Sequence, residues 1–228
     1  MLHHLRSFFS RPKEASLSEH IELAQIEAMD ALGAKDQFTT IPLIRDLPSA
    51  VAIIARNNTF EMKGIPTPPI DQDWPVAQIV WEVPTARAGP VYMDVSVTPH
   101  QNERRYIVIV EARAFYALWK LSKGKSWGFD HLPAEPGEFP NMRKWEDQAQ
   151  CWARGRANPV PLATVGCSVR HGTGLGFSDG MTRTSWLLHH GASAFPVMAY
   201  EKESAHELNN LAGAGLAPVT TVADLAGL

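Results

Sequence analysis

Gly180-Met181-Thr182-Arg183 is the run whose residue types best suit chemistry, and the chemistry they suit is holding a phosphate. If a helix opens here, its first N–H groups have no intrahelical partner, and the macrodipole adds partial positive charge at the same point. Thr182 contributes a hydroxyl donor. Arg183 contributes a planar guanidinium whose fork matches phosphate oxygens. The plainer alternative is that Arg183 salt-bridges a neighbour while Thr182 only caps the helix.

The flanking residues predict the element that would position this run. Leu162–Val169 reads as a strand, His171–Gly176 as a glycine-rich turn and Leu175–Phe177 as the return. Ser178 or Asp179 can cap the helix that follows. Gly180 permits a sharp turn or a close backbone approach. Gly191 stops the helix in the left-handed conformation that only glycine adopts cheaply, and Phe195-Pro196-Val197 opens the next strand.

Further upstream, Ser16 to Glu19 fits a capping box ahead of an amphipathic helix over 17–32. Short β-rich runs follow at Val51–Ala55, Val76–Val83 and Val91–Val97, the first two separated by a proline-rich loop. Arg105–Glu111 is the strongest strand, and Ala112–Lys123 turns helical. Gly124–Pro140 is expected to be irregular, and Met142–Trp152 a short helix. A weak helix and an Ala/Gly-rich finish make up the rest beyond Lys202.

A Gly-x-x-Arg at a strand-to-helix turn, then a short helix, a glycine and an apolar-Pro-Val strand, is similar to the nucleotide-phosphate box of ParB-type proteins and sulfiredoxin. Asp179-Gly180, Thr182-Arg183-Thr184, Trp186-Leu187, Gly191-Ala192 and Phe195-Pro196-Val197 resemble most closely the plasmid fertility-inhibition family of the FiwA/Osa type. The close part runs from Thr164 to Val197, a looser match begins near Val91, and nothing before Pro90 contributes. The resemblance implies an α+β fold of the ParB/sulfiredoxin-like kind, a small mixed sheet with flanking helices. An added N-terminal helix and strands would occupy 1–90, the core domain 91–201 and a tail 202–228. It also implies a phosphate-binding set of Gly180, Thr182, Arg183 and Thr184.

Two departures narrow the resemblance. Met181 stands where sulfiredoxin needs its cysteine, and a thioether has no ionisable thiol, so that chemistry is excluded. The stretch after Val197 is expected to be too short for the helix-turn-helix reader of segregation ParB proteins.

The family suggests an inhibitor of conjugative DNA transfer through a type IV secretion system. Its expected partner is the coupling ATPase or the relaxase–DNA complex. The alternative is a weak ATPase or nuclease using the same box, with ATP or another nucleotide and magnesium as ligand; no cofactor is required by the residues themselves. Asp179 and Glu111 are the carboxylates that rank as catalytic candidates, but no catalytic residue is identified. DNA binding without catalysis fits least well with a net charge of −3.

The remaining signals are weaker. Residues 101–170 carry eleven basic and seven acidic side chains between acidic flanks, which suits either an acidic partner or a solvated face. Arg143-Lys144 and Arg154/Arg156 flank Trp145 and Trp152, compatible with nucleic-acid stacking or with an exposed helix. His189-His190 lacks a third ligand, so no metal site is expected. Gly172 to Gly176 lacks the Lys-Ser/Thr of a P-loop. Cys151 and Cys167 read as free thiols, and no run of about 18 apolar residues spans a membrane, so a cytoplasmic protein without membrane insertion is expected.

Overall fold

The computed structural model describes residues 77–98, 102–122, 136–168, 174–215 and 217–228, together with 51, 52, 54 and 59–62. The expected helix over 17–32 lies outside these residues, as does most of the expected loop 124–140.

The chain is α+β with two mixed sheets, where a single small sheet was expected. The first joins β1 (Thr59–Met62), β2 (Ala77–Val83), β3 (Val91–Val97) and the two-residue β5 (Val160–Pro161) in the order β1-β2-β3-β5. The second runs β7-β6-β8-β4-β9. Its strands are β4 (Tyr106–Glu111), β6 (Ala163–Ser168), β7 (Gly174–Asp179), β8 (Ala194–Ala199) and β9 (Thr220–Thr221). The predicted strand over 162–169 is β6, and ahead of it sequence reasoning missed Val160–Pro161, which runs parallel to β3 before the chain crosses at Leu162 to enter the other sheet. Leu162 N–H donates to Asp94 O at 2.9 Å, which anchors the crossing.

Central position explains the apolar runs. All six residues of β8 are buried, as are Ile107 to Val110 of β4, because both faces of these strands are covered. Helix α1 (Ala112–Leu121) lays Phe115, Tyr116, Leu118 and Trp119 into the core, and Phe115 meets Phe177 and Phe195 edge to face. Helix α4 (Lys202–Ala212) packs on β4, β6 and α1 and buries Ala205 and Leu208. The short α5 (Val222–Ala226) opens with a capping box between Thr221 and Asp224.

Three local expectations change. Val51, Ala52 and Ile54 are helical, not extended. A continuous apolar run this short suits a helix as well as a strand, and packing arbitrates. Pro136–Asn141 forms a 3-10 helix inside the stretch expected to be irregular. Helix α2 (Trp145–Trp152) begins after Lys144, whose left-handed backbone (φ 68°) sets a break where the sequence suggested continuity from Met142.

Candidate functional site

Helix α3 (Met181–His189) starts where predicted, but its cap differs. The N-cap is Gly180 at φ 95°, and neither Ser178 nor Asp179 caps the helix with its side chain. Glycine is needed twice over here: the backbone is left-handed, and an added Cβ would lie 2.6 Å from Ala163 Cα. At the other end Gly191 (φ 76°) closes the helix as expected. Gly191 N–H reaches Leu188 O and Ala192 N–H reaches Leu187 O, the paired bonds of a Schellman stop.

Arg183 is deeply engaged. Its guanidinium donates to Pro161 O at 2.7 Å and Leu162 O at 3.0 Å, and pairs with Asp179 at 2.8 Å. These carbonyls belong to the crossing between the sheets, so Arg183 ties α3 to that crossing. Thr184 is buried and its hydroxyl donates to Gly180 O at 3.0 Å. Of the predicted phosphate set, the groups left open are the first N–H groups of α3 and the Thr182 side chain.

Those groups face a cleft of about 440 Å³. Leu175, Phe177 and Asp179 of β7 form one wall, with Gly180 to Arg183 at its end. Trp119 and Ser122 close α1's side, and Lys144, Gln148 and Cys151 contribute from the region of α2. Sequence reasoning missed this second group. No local spacing links them to the box, and only the fold of α1 and α2 brings them to it. Neither Cys151 nor Cys167 is joined in a disulfide among the described residues, and Cys167 is buried.

Glu111 lies elsewhere. Its carboxylate accepts from Arg113 N–H at 3.1 Å and Ala114 N–H at 2.6 Å, capping α1, and it does not line the cleft. Glu111→Ala should therefore cost about 1 kcal/mol of stability, the usual worth of an N-cap. A urea-unfolding midpoint measures it; an unchanged midpoint would deny the capping role.

The aromatic residues near α3 are spent on one another. Trp152 stacks on Trp186 at 5.0 Å, Trp186 on His190 at 3.7 Å, and Trp145 on His190 at 6.2 Å. Trp152 is buried, so its face is closed to a nucleic acid base. His190 Nδ1–H donates to Trp186 O at 2.9 Å, because a carbonyl can only accept. Burial lowers the His190 pKa below its ordinary 6.5, the Trp186 carbonyl raises it, and nearby Arg87 lowers it. Protonation thus favours the unfolded chain, so stability is full above pH 6.5 and is lost as pH falls through the folded value. Unfolding midpoints from pH 7.5 down to 5 should decline, and His190→Gln should flatten that decline. Parallel curves for the two proteins would reject it. Among the described residues no group of three or more His, Cys, Asp or Glu is placed to hold a metal ion.

Residues 107–213, which include the whole cleft wall, match the model of the family described as plasmid fertility inhibition factor. This segment belongs to the plasmid fertility inhibition factor family. The protein osa of Shigella flexneri is 33% identical over 131 residues, 56% of this chain and 65% of that one. The chain thus spans about 65% of the length of that curated relative. Among solved structures it is similar in fold to the Oncogenic Suppression Activity protein, itself called a plasmid fertility inhibition factor and solved as a gold(I) cyanide derivative. That likeness has a TM-score of 0.58 and 24% identity, covering 90% of this chain and 96% of the other. The matched segment therefore holds β4 from Ile107 onward, α1, α2, β5, β6, β7, α3, β8 and α4. Among the described residues, no helix is long and apolar enough to cross a membrane.

Proposed function

We propose that this chain is a plasmid fertility inhibition factor that acts in the cytoplasm and blocks conjugative DNA transfer through a type IV secretion system. It does so by binding the coupling ATPase or the relaxase–DNA substrate. The observation that supports this most is the family match over 107–213, within which every residue lining the cleft falls. The name carried by the related Oncogenic Suppression Activity protein agrees with it. Expression in a donor should cut transfer of a susceptible plasmid while leaving its copy number unchanged. Equal transfer with and without the protein, across several plasmid types, removes the proposal.

A second reading is favoured by the open N–H groups of α3 and the Thr182 side chain at the cleft. On it, the cleft holds a nucleotide phosphate, with Arg183 supporting the turn. Two carboxylates line the cleft, Asp147 and Asp179, and the second is tied to Arg183, so no hydrolytic step is derived from them. Calorimetric titration with ATP, CTP and a short DNA tests it. Thr182→Ala should weaken nucleotide binding by about 0.5–1.5 kcal/mol, the worth of a neutral hydroxyl contact. Absence of any binding by the unaltered chain sinks this reading and leaves inhibition to protein contact.

A further inference from the structure

Among the described residues, the outer edge of β7 is a partly unfilled half of a β-ladder. In its antiparallel pairing with β6, Leu175 stands opposite Cys167. Cys167 N–H turns away from the pair to Ser204 Oγ at 2.7 Å, and Leu175 N–H turns away on the other side to Ser122 Oγ at 2.5 Å. This pair therefore exchanges no ladder bonds, and such pairs alternate with bonded ones. Gly166 and Gly176 form the bonded pair, and Val165 and Phe177 the next unbonded one. Phe177 thus directs both N–H and C=O off the sheet, as Leu175 does its C=O. They have no backbone partner among the described residues, and β7 is the outermost strand.

This edge opens into the cleft rather than onto a flat surface. Across it, Gln148 holds a buried side-chain nitrogen that has no hydrogen-bond partner. The cleft consequently presents donors and acceptors together. A phosphate offers acceptors alone and leaves the carbonyls of Leu175 and Phe177 unmet, whereas a peptide backbone supplies both. Trp119 and Phe177, with ring centroids 4.7 Å apart, give an apolar seat for one side chain. At the α3 end the free N–H groups and Lys144 favour a carboxylate, since Asp179 is already paired with Arg183 and Asp147 is the one other acidic side chain on the wall.

We infer that a partner protein inserts an extended peptide segment into this cleft as an added strand on β7, with an acidic group at the start of α3. Strand addition of this kind draws affinity from main-chain bonds and selectivity from alternate side chains. The inference deepens the reading of inhibition by protein contact and rests on it for the source of the peptide.

The test uses the full chain and a positional library of fluorescein-labelled hexapeptides, each made as free acid and as amide, read by fluorescence polarisation. Peptides with an acidic residue or free C-terminus should be enriched, and the two arms distinguish side chain from terminus. N-methylation along the best binder should weaken binding at least tenfold at alternate positions only, the mark of a ladder. Phe177→Ala keeps the edge N–H and should bind better than Phe177→Pro, which lacks it. The N-methyl scan needs only the unaltered chain, so the inference stays exposed if either variant fails to fold. No enriched peptide, or N-methyl effects without alternation, overturns it. Concentration-dependent dimerisation abolished by Phe177→Pro overturns it too, by assigning the edge to a second copy, and so does ATP binding without peptide binding. In parallel, a variant defective in peptide binding is tested in the mating assay. Undiminished inhibition by it rejects the strand addition and leaves the fertility function standing. Peptide binding with no effect of the unaltered chain on transfer rejects the fertility function instead.

Discussion

Replacing Gly180 with alanine should destabilise the fold by about 2–4 kcal/mol. Two separate costs converge on that position. The backbone is held at φ 95°, a conformation that costs a residue with a Cβ about 1–3 kcal/mol. The new methyl would sit 2.6 Å from Ala163 Cα and 2.7 Å from Ala163 Cβ, and the first of these is main chain that cannot rotate away. Overpacking of this kind costs about 1–3 kcal/mol, and part is relieved by shifting α3 outward. That shift would also draw Arg183 from its carbonyls. Urea unfolding of Gly180→Ala against the unaltered chain measures the sum. A loss below about 0.5 kcal/mol, the range of neutral surface changes, contradicts the close packing of α3 on β6.

The second large effect is expected at Arg183. Arg183→Ala should cost about 1.5–3 kcal/mol, the range for hydrogen bonds to a charged group. The loss falls on the strand crossing, where Pro161 and Leu162 would lose their side-chain donor. The contribution of the Asp179 pair is small, because that carboxylate is exposed and water screens it. Arg183→Lys should recover part of the loss only, since one ammonium cannot reproduce a planar fork that spans two carbonyls and a carboxylate. Asp179→Asn should be nearly silent. If Arg183→Ala unfolds at the same urea concentration as the unaltered chain yet abolishes nucleotide binding, the guanidinium serves a ligand and not the crossing.

These two residues show how differently one motif can be read from the chain and from the fold. The pattern around Gly180 and Gly191 was legible because it is local. A left-handed residue before and after a nine-residue helix is a property of adjacent dihedrals, and glycine is the residue that meets it. The strands β2, β3 and β4 were legible for a similar reason, since runs of branched and aromatic residues have few other uses. The resemblance to the fertility-inhibition family, and the α+β class it implies, followed from Thr164 to Val197.

What the chain could not decide was which partner each polar group would find. Arg183 has the reach to meet a phosphate, a carboxylate or a carbonyl, and the choice depends on Pro161 and Leu162 arriving beside it from the other sheet. Glu111 looked like a catalytic carboxylate, and its lone pairs are taken by the start of α1. Lys144, Gln148 and Cys151 join the cleft only because α2 folds against α3. The free edge of β7 depends on strand order, a long-range pairing that no local pattern specifies. Local sequence determined the glycine positions that bound α3 and the strands β2, β3 and β4, because those choices are settled among neighbouring residues. Tertiary structure alone determined which of those elements meet, because distant backbone and side-chain groups compete there for the same hydrogen bonds.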